Sequence, residues 1–180
     1  MTRVTAQGGA TRILGAVLLA VGLLAGGAVA WGQGTTVGGG DSPIEVFSDN
    51  GIEWRRDEMM YVARGNAIAI QDQDRVMGDV LVAHYRDTED GGTEIWRMES
   101  LGNALIETPD QTVTGQNAAY EKDSGILVVR GAPLRMVTDT ETVTAKDSLE
   151  YWSRERMAVA RGDAHVVRAN GDTVDADIVT

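Results

Sequence analysis

Beyond Ser42 the large apolar residues recur at every second position, and no window carries the 3.6-residue spacing of a helix. Met60, Val62, Ile68 and Ile70 share one parity, while Ala63, Gly65, Ala67 and Ala69 share the other. Period two belongs to strands that turn one face to a core. Polar turns interrupt the runs at 71–74, 109–110, 122–125 and 139–141, and at Asn170-Gly171-Asp172, the strongest hairpin signal. The pattern predicts an all-β, antiparallel architecture of roughly ten to thirteen strands, with two sheets closing over a shared interior.

A repeat is superimposed on the alternation. Gly65-Asn66-Ala67 returns as Gly102-Asn103-Ala104, with weaker echoes at Gly131-Ala132-Pro133 and Gly162-Asp163-Ala164. The glycines stand 37, 29 and 31 residues apart, which indicates one supersecondary unit used about four times. A glycine inside a strand marks a bend or bulge. Counting outward from each glycine, the third and fifth positions on both sides form the expected buried set. The first copy obeys with the four residues above, the third with Ile126, Val128, Leu134 and Met136, the fourth with Met157, Val159, His165 and Val167. The second breaks the rule with Arg97, Glu99 and Glu107, and Trp96, Met98 and Ile106 carry its apolar face, so a register shift or a bulge is expected there, following the loop over 87–92. Each unit then has a second strand, read from Gly78-Asp79-Val80-Leu81, Lys146-Asp147-Ser148-Leu149 and Ala176-Asp177-Ile178-Val179, with Gly115-Gln116-Asn117-Ala118 as a degenerate copy. Tyr85, Tyr120 and Tyr151 follow three of these strands.

The N-terminus changes the compartment. Arg3 and Arg12 precede an apolar run over 13–25, no acidic residue occurs before Asp41, and Ala28-Val29-Ala30 forms a cleavage site. Residues 1–30 therefore read as a signal peptide cleaved after Ala30. An uncleaved anchor is the competing reading, although 13–30 is only 18 residues with four glycines, short for a span. Either way the chain crosses an inner membrane, and a Gram-negative periplasm is the expected location. Residues 31–42 read as a flexible glycine-rich tether and 43–180 as one domain.

Charge and cysteine content exclude several functions. The absence of cysteine removes disulfides, thiol catalysis and thiolate metal sites. Without Arg3 and Arg12 there are 14 basic against 27 acidic residues, a net charge of −13. Such a surface repels nucleic acid and anionic headgroups, so a lipid partner has to be held by its tails.

His84 and His165 sit on different repeats, and His165 falls at an inward position, which suits a core histidine rather than a metal or triad site. Asp79, Asp147 and Asp177 lack calcium-loop spacing and read as strand-entry turn residues. Glu107 with Asp110 has no buried context, and Arg161-Gly162-Asp163 is the fourth copy of the glycine motif rather than an adhesion signal. Trp54, Trp96 and Trp152 suit packing, with lipid contact open to the latter two. No pattern points to catalysis, a metal or a cofactor, and the chain is not expected to be an enzyme.

Two segments carry a resemblance. Pro43-Ile44-Glu45-Val46-x-Ser48-Asp49, and Tyr61-Val62-Ala63-Arg64-Gly65-Asn66-Ala67 followed by a Gly/Ala-Asp-x-apolar strand, resemble the lipopolysaccharide-transport periplasmic proteins of the LptA or OstA family. The likeness runs over about 44–180. It implies a twisted, open β-jellyroll, a V-shaped two-sheet sandwich, that carries lipopolysaccharide from the inner to the outer membrane. The lipid A acyl chains would lie inside. The implied partners are an inner-membrane LptC-like protein and an outer-membrane LptD-like protein, with head-to-tail self-association through edge strands. By motif, Ile44 and Val46 match inward positions of the first strand, and Tyr120 and Tyr151 match tyrosines of the second-strand signature. Parity adds Met60, Val62, Ile68, Ile70 and Leu81 to the expected lipid-binding lining, together with Val128, Leu134, Met136 and Leu149. Relatives usually continue past the last strand, and this chain stops at Thr180, so a short or truncated C-terminal joint is expected. A membrane-anchored LptC-like component and a structural β-scaffold with a filled core are the alternatives.

Overall fold

The computed structural model describes residues 35–37, 44–89 and 91–180, and among them there is no helix. Thirteen antiparallel strands form one continuous hydrogen-bonded system. The N-terminal strands are short: β1 (Thr35–Val37), β2 (Ile44–Phe47) and β3 (Ile52–Arg55). Four long strands follow, β4 (Met60–Gln71), β5 (Asp74–Asp87), β6 (Thr93–Thr108) and β7 (Gln111–Glu121). Four short ones come next, β8 (Ile126–Arg130), β9 (Leu134–Thr138), β10 (Glu141–Ala145) and β11 (Ser148–Trp152). The last two are β12 (Met157–Arg168) and β13 (Thr173–Val179). The segment read as a tether thus contains β1, paired with β2.

Each long strand serves two layers. The first half of β4 pairs with β3 and its second half with β2. Likewise β7 pairs with β8 through residues 117–121 and with β9 through 111–114. On the far side β12 pairs with β11 in its first half and β10 in its second. The first layer therefore runs from β3 through the outer halves of β4 to β7, then β8, β11 and β12. The second runs from β1 and β2 through the remaining halves, then β9, β10 and β12. This is the two-sheet, V-shaped β-jellyroll that the alternation and the resemblance predicted.

The glycine motif makes the spine of the V. Pairing breaks between Arg64 and Ala67, Leu101 and Ala104, and Arg161 and Ala164, where one strand spends an extra residue against its neighbour. Gly65 and Asn66, at φ +79° and +44°, and Gly102 and Asn103, at +74° and +51°, are left-handed pairs that a β-branched residue would not tolerate. A side chain from the neighbouring segment fastens each bend. Asn66 Nδ2 donates to Asp49 Oδ2 at 2.7 Å, Asn103 Nδ2 donates to both Asp79 oxygens at 3.0 and 3.1 Å, and Lys146 pairs with Asp163. Asp79 lies inside β5 and Asp177 inside β13, so these two are not the strand-entry residues expected. Asp79 instead holds the bend in the next strand.

The same bulge corrects the expected facing. In the first, second and fourth copies positions two and four on each side of the glycine turn inward, giving Tyr61, Ala63, Ala67 and Ala69 in the first; in the third, Gly131 stands between β8 and β9, and Leu134 and Met136 lie in the core at the positions expected. The second copy uses Met98, Ser100, Ala104 and Ile106 in the same places, and it also carries the irregularity expected there: between the pairs His84–Arg97 and Tyr85–Ile95 the strand β6 spends an extra residue, Trp96. In the fourth, Ala160, Ala164 and Val166 face in. Outward valines escape exposure for another reason. Val62 and Val159 are 2% and 3% exposed on the outer face. Their cross-strand neighbours Glu53 and Glu150 carry ion pairs to Arg64 and Arg161, whose aliphatic stems cover apolar surface. His165 is corrected too: its side chain is 44% exposed on the outer face, with Nδ1 2.6 Å from Asp175 Oδ1.

Candidate functional site

The interior divides into a packed part and an open part. Towards the C-terminus Val113, Val129, Leu134, Met136, Leu149 and Val166 fill the space between the layers. Next to them lies an apolar cavity of about 140 Å³. Its first-layer wall includes Tyr61, Leu81, Ala83, Met98, Tyr120 and Leu127, with Tyr151 and Ser153 beyond. Ile44, Val46, Ala69, Val76 and Ile106 supply the second-layer wall, and Ile52 of β3 closes the N-terminal side. Ser100 contributes little polarity, because its hydroxyl is spent on the Met77 carbonyl at 2.7 Å. An apolar space of this size stays dry and holds a ring-sized apolar group; a benzene-binding cavity of roughly 150 Å³ is the reference case.

Two contacts bound the cavity near the N-terminus. Ile44, on the free margin of the second layer, packs against Tyr85 and Ile95 on the margin of the first, so the two margins meet there. Trp54 stacks on Tyr61 at 5.8 Å and its Nε1 donates to the Tyr85 hydroxyl at 2.9 Å, while Tyr61 and Tyr85 lie 5.3 Å apart. Burial pushes the Tyr61 and Tyr120 phenols above their ordinary range.

The expected lining residues divide into three groups. Ile44, Val46, Leu81, Tyr120 and Tyr151 border the cavity. Leu134, Met136 and Leu149 lie in the packed core beside it. Met60, Val62, Ile68, Ile70 and Val128 belong to the outward parity, opposite the inward residues Tyr61, Ala69 and Leu127. The physical cause is that alanine needs less room than isoleucine where two sheets converge on a spine. Large apolar residues alone therefore do not point to Ala69 and Ala83, and Met98, read on the apolar face of the second copy, stood outside the expected lining. Their signal was present in the second copy, where polar Arg97 and Glu99 could not face inward, which leaves Met98.

Neither histidine enters the cavity. His84 Nε2 stands 3.5 Å from Glu99 Oε2 on the outer face, its ring 5.9 Å from that of Trp96, and four strands separate it from His165. Trp152 also faces out and donates to Glu150 at 3.0 Å. Among the described residues no group of three or more metal-ligating side chains converges.

Strand ends place charge along both margins. On the first layer Arg86 bridges Glu94 and Asp123, Lys122 Nζ contacts Glu94 at 2.7 Å, and Arg154 donates to the Asp123 carbonyl. Hydrogen bonds from Lys122 and Arg86 hold the Glu94 carboxyl below its usual range, and Arg86 does the same to Asp123. On the second layer Asp74 is raised by burial and then by the neighbouring Asp72 and Asp110.

No protein-family profile matches the sequence, and no curated protein matches it. A solved structure does: that of LptH from Pseudomonas aeruginosa, described as the LptA homologous periplasmic component of the conserved lipopolysaccharide transport device. The TM-score is 0.55 at 18% identity, over 68% of this chain and 84% of LptH. The chain has the LptH fold.

Proposed function

We propose that the protein is a periplasmic carrier that passes lipopolysaccharide from the inner to the outer membrane with acyl chains between its two layers. One observation carries this reading: an apolar cavity between the two layers of the fold shared with the lipopolysaccharide-transport component LptH. The energetic logic is direct. Each methylene exposed to water costs about 0.8 kcal/mol, so a chain of about 12 to 14 carbons costs roughly 10 kcal/mol outside a membrane. A carrier has to replace that contact with apolar wall, and Met98 adapts to irregular chains better than a branched residue. The cavity holds only part of a chain, so loading involves separation of Ile44 from Tyr85 and Ile95.

On this reading the signal peptide is cleaved after Ala30, and the protein links an LptC-like to an LptD-like partner. Among the described residues β13 pairs only with β12, and β1 only with β2, leaving both ends able to accept a further strand, including that of a second copy. N-terminal sequencing of the exported protein separates this carrier from a membrane-anchored LptC-like component.

A photo-crosslinking residue tests the site. Placed at Leu81 or Met98 it is expected to trap lipopolysaccharide in cells; placed at Ile68 or Val128, on the outer parity, it is not. Absence of adducts at every inward position would mean that the interior is only a core, and the chain a structural scaffold.

A further inference from the structure

Buried polar atoms are the exception in this interior, and two that lack a partner share one hairpin. Among the described residues the buried polar side chains are Ser100, Gln111 and Ser148. Both serine hydroxyls are used, Ser100 donating to the Met77 carbonyl and Ser148 to Glu150 at 2.8 Å. Gln111 is 7% exposed, and its Oε1 has no hydrogen-bond partner in the protein. Thr108 pairs with it across the β6–β7 turn, and the buried Thr108 Oγ1 is in the same condition. The third such atom, His84 Nε2, lies apart on the outer face of the first layer. A buried acceptor without a donor carries its whole desolvation cost, so two such oxygens on one cross-strand pair mark a place that an outside group completes.

Strand parity puts both side chains on the face that forms the cavity wall. Val76 and Ile106, cross-strand partners, belong to the second-layer wall. Thr108 stands two residues beyond Ile106 on the same face, about 7 Å nearer the margin. Gln111 stands in the same relation to Val113, the core residue opposite Ile106. Thr138 follows opposite Gln111, but its hydroxyl is taken up within its own turn by Thr140 and Glu141. One inward row past the apolar cavity, the second-layer wall therefore becomes polar.

Charge narrows the group that fits. The turns of this margin carry Asp72, Asp74, Asp110, Asp139, Glu141 and Asp172 against Arg168, which lies 4.0 Å from Glu141. Arg75 and Glu107 oppose each other on the outer parity. An anion is repelled here. An ammonium would exchange its water for two neutral, buried oxygens, a costly transfer for a full charge. A hydroxyl is neutral, donates once and accepts at two lone pairs.

Resting on the carrier reading above, we infer that Gln111 and Thr108 bind a hydroxyl group on the amphiphile whose chain occupies the cavity. Gln111 Oε1 accepts the hydrogen bond of that hydroxyl, and Thr108 donates to its oxygen. The polar row sets how deep the chain sits, because its tail meets only apolar wall one row further in.

The test uses the full chain and displacement of bound diphenylhexatriene by 1-dodecanol or by dodecyl methyl ether. The two share a chain and an oxygen, but the ether cannot donate. Wild type is expected to bind the alcohol about tenfold tighter, the scale of one buried acceptor satisfied. Gln111→Leu replaces the amide by an apolar group of similar size. It is expected to bring the alcohol down to the affinity of the ether, with the ether bound as well as before. Thr108→Val should weaken both, since Thr108 donates to either oxygen, and Thr112→Val, on the outer parity, should keep the tenfold preference. Equal binding of alcohol and ether by wild type overturns the hydroxyl site and leaves the carrier intact; so does a preference that survives in Gln111→Leu. If wild type binds neither the dye nor the alcohol, the carrier reading itself falls.

Discussion

At the scale of single residues the structure turns on a few backbone positions. Gly102 holds φ +74°, and a Cβ there would collide with the Asp79 carboxylate that anchors Asn103. Gly171 has φ +89° but nothing near its missing side chain. Both substitutions to alanine incur left-handed strain, and only the first also breaks a clasp. Urea unfolding should therefore show Gly102→Ala losing about 2–3 kcal/mol and Gly171→Ala about 1 kcal/mol. Equal losses would mean that Asp79 contributes nothing to the bend. The residue scale also holds the main error of sequence reading. Isoleucine and valine at alternating positions look buried, yet at Ile68 and Ile70 they cover the outside while Ala67 and Ala69 occupy the narrow inside.

Among elements, the paired strands explain both the bend and the margins. Because β4 to β7 each cross from one layer to the other, every connecting turn falls on a free margin, where charge accumulates. The β4–β5 turn shows the consequence. Asp74 is raised by burial and by its acidic neighbours, so the folded state holds a proton more tightly than the unfolded chain. Stability linked to this group is present at low pH and declines as pH rises from about 4, its unfolded pKa, through the raised folded value. Asp74→Asn should raise the melting temperature by roughly 1–3 °C at pH 7, with the gain vanishing near pH 3. A gain independent of pH would assign the effect to something other than charge.

For the whole molecule, the division of the interior matters most. One half is a packed core that sets stability, and the other is a cavity whose walls are short of side chain. Those properties can be separated. Ala83→Leu adds three carbon atoms to the cavity and should leave stability unchanged or raise it by about 0.5–1 kcal/mol in urea unfolding. The same variant should lose most of the lipopolysaccharide adduct formed from a crosslinker at Leu81. If adduct yield is unaffected, the acyl chain does not lie in this cavity.

The strand content, the antiparallel order, the repeat and many of the turns were legible in the chain, because period-two alternation and glycine punctuation are local properties; the turns at 56–59 and 153–156 and the break at Gly131 were not. Five of the thirteen expected lining residues, Ile44, Val46, Leu81, Tyr120 and Tyr151, also border the cavity. Which parity faces inward was decided only in three dimensions. Facing depends on how two layers converge on a spine and how much volume remains there, and local alternation is the same for either choice. The joining of the margins at Ile44, Tyr85 and Ile95 unites residues up to 51 positions apart. The sequence by itself determined a repeated β-structure punctuated by glycine; the tertiary structure decided which face became the cavity wall and where the two margins meet.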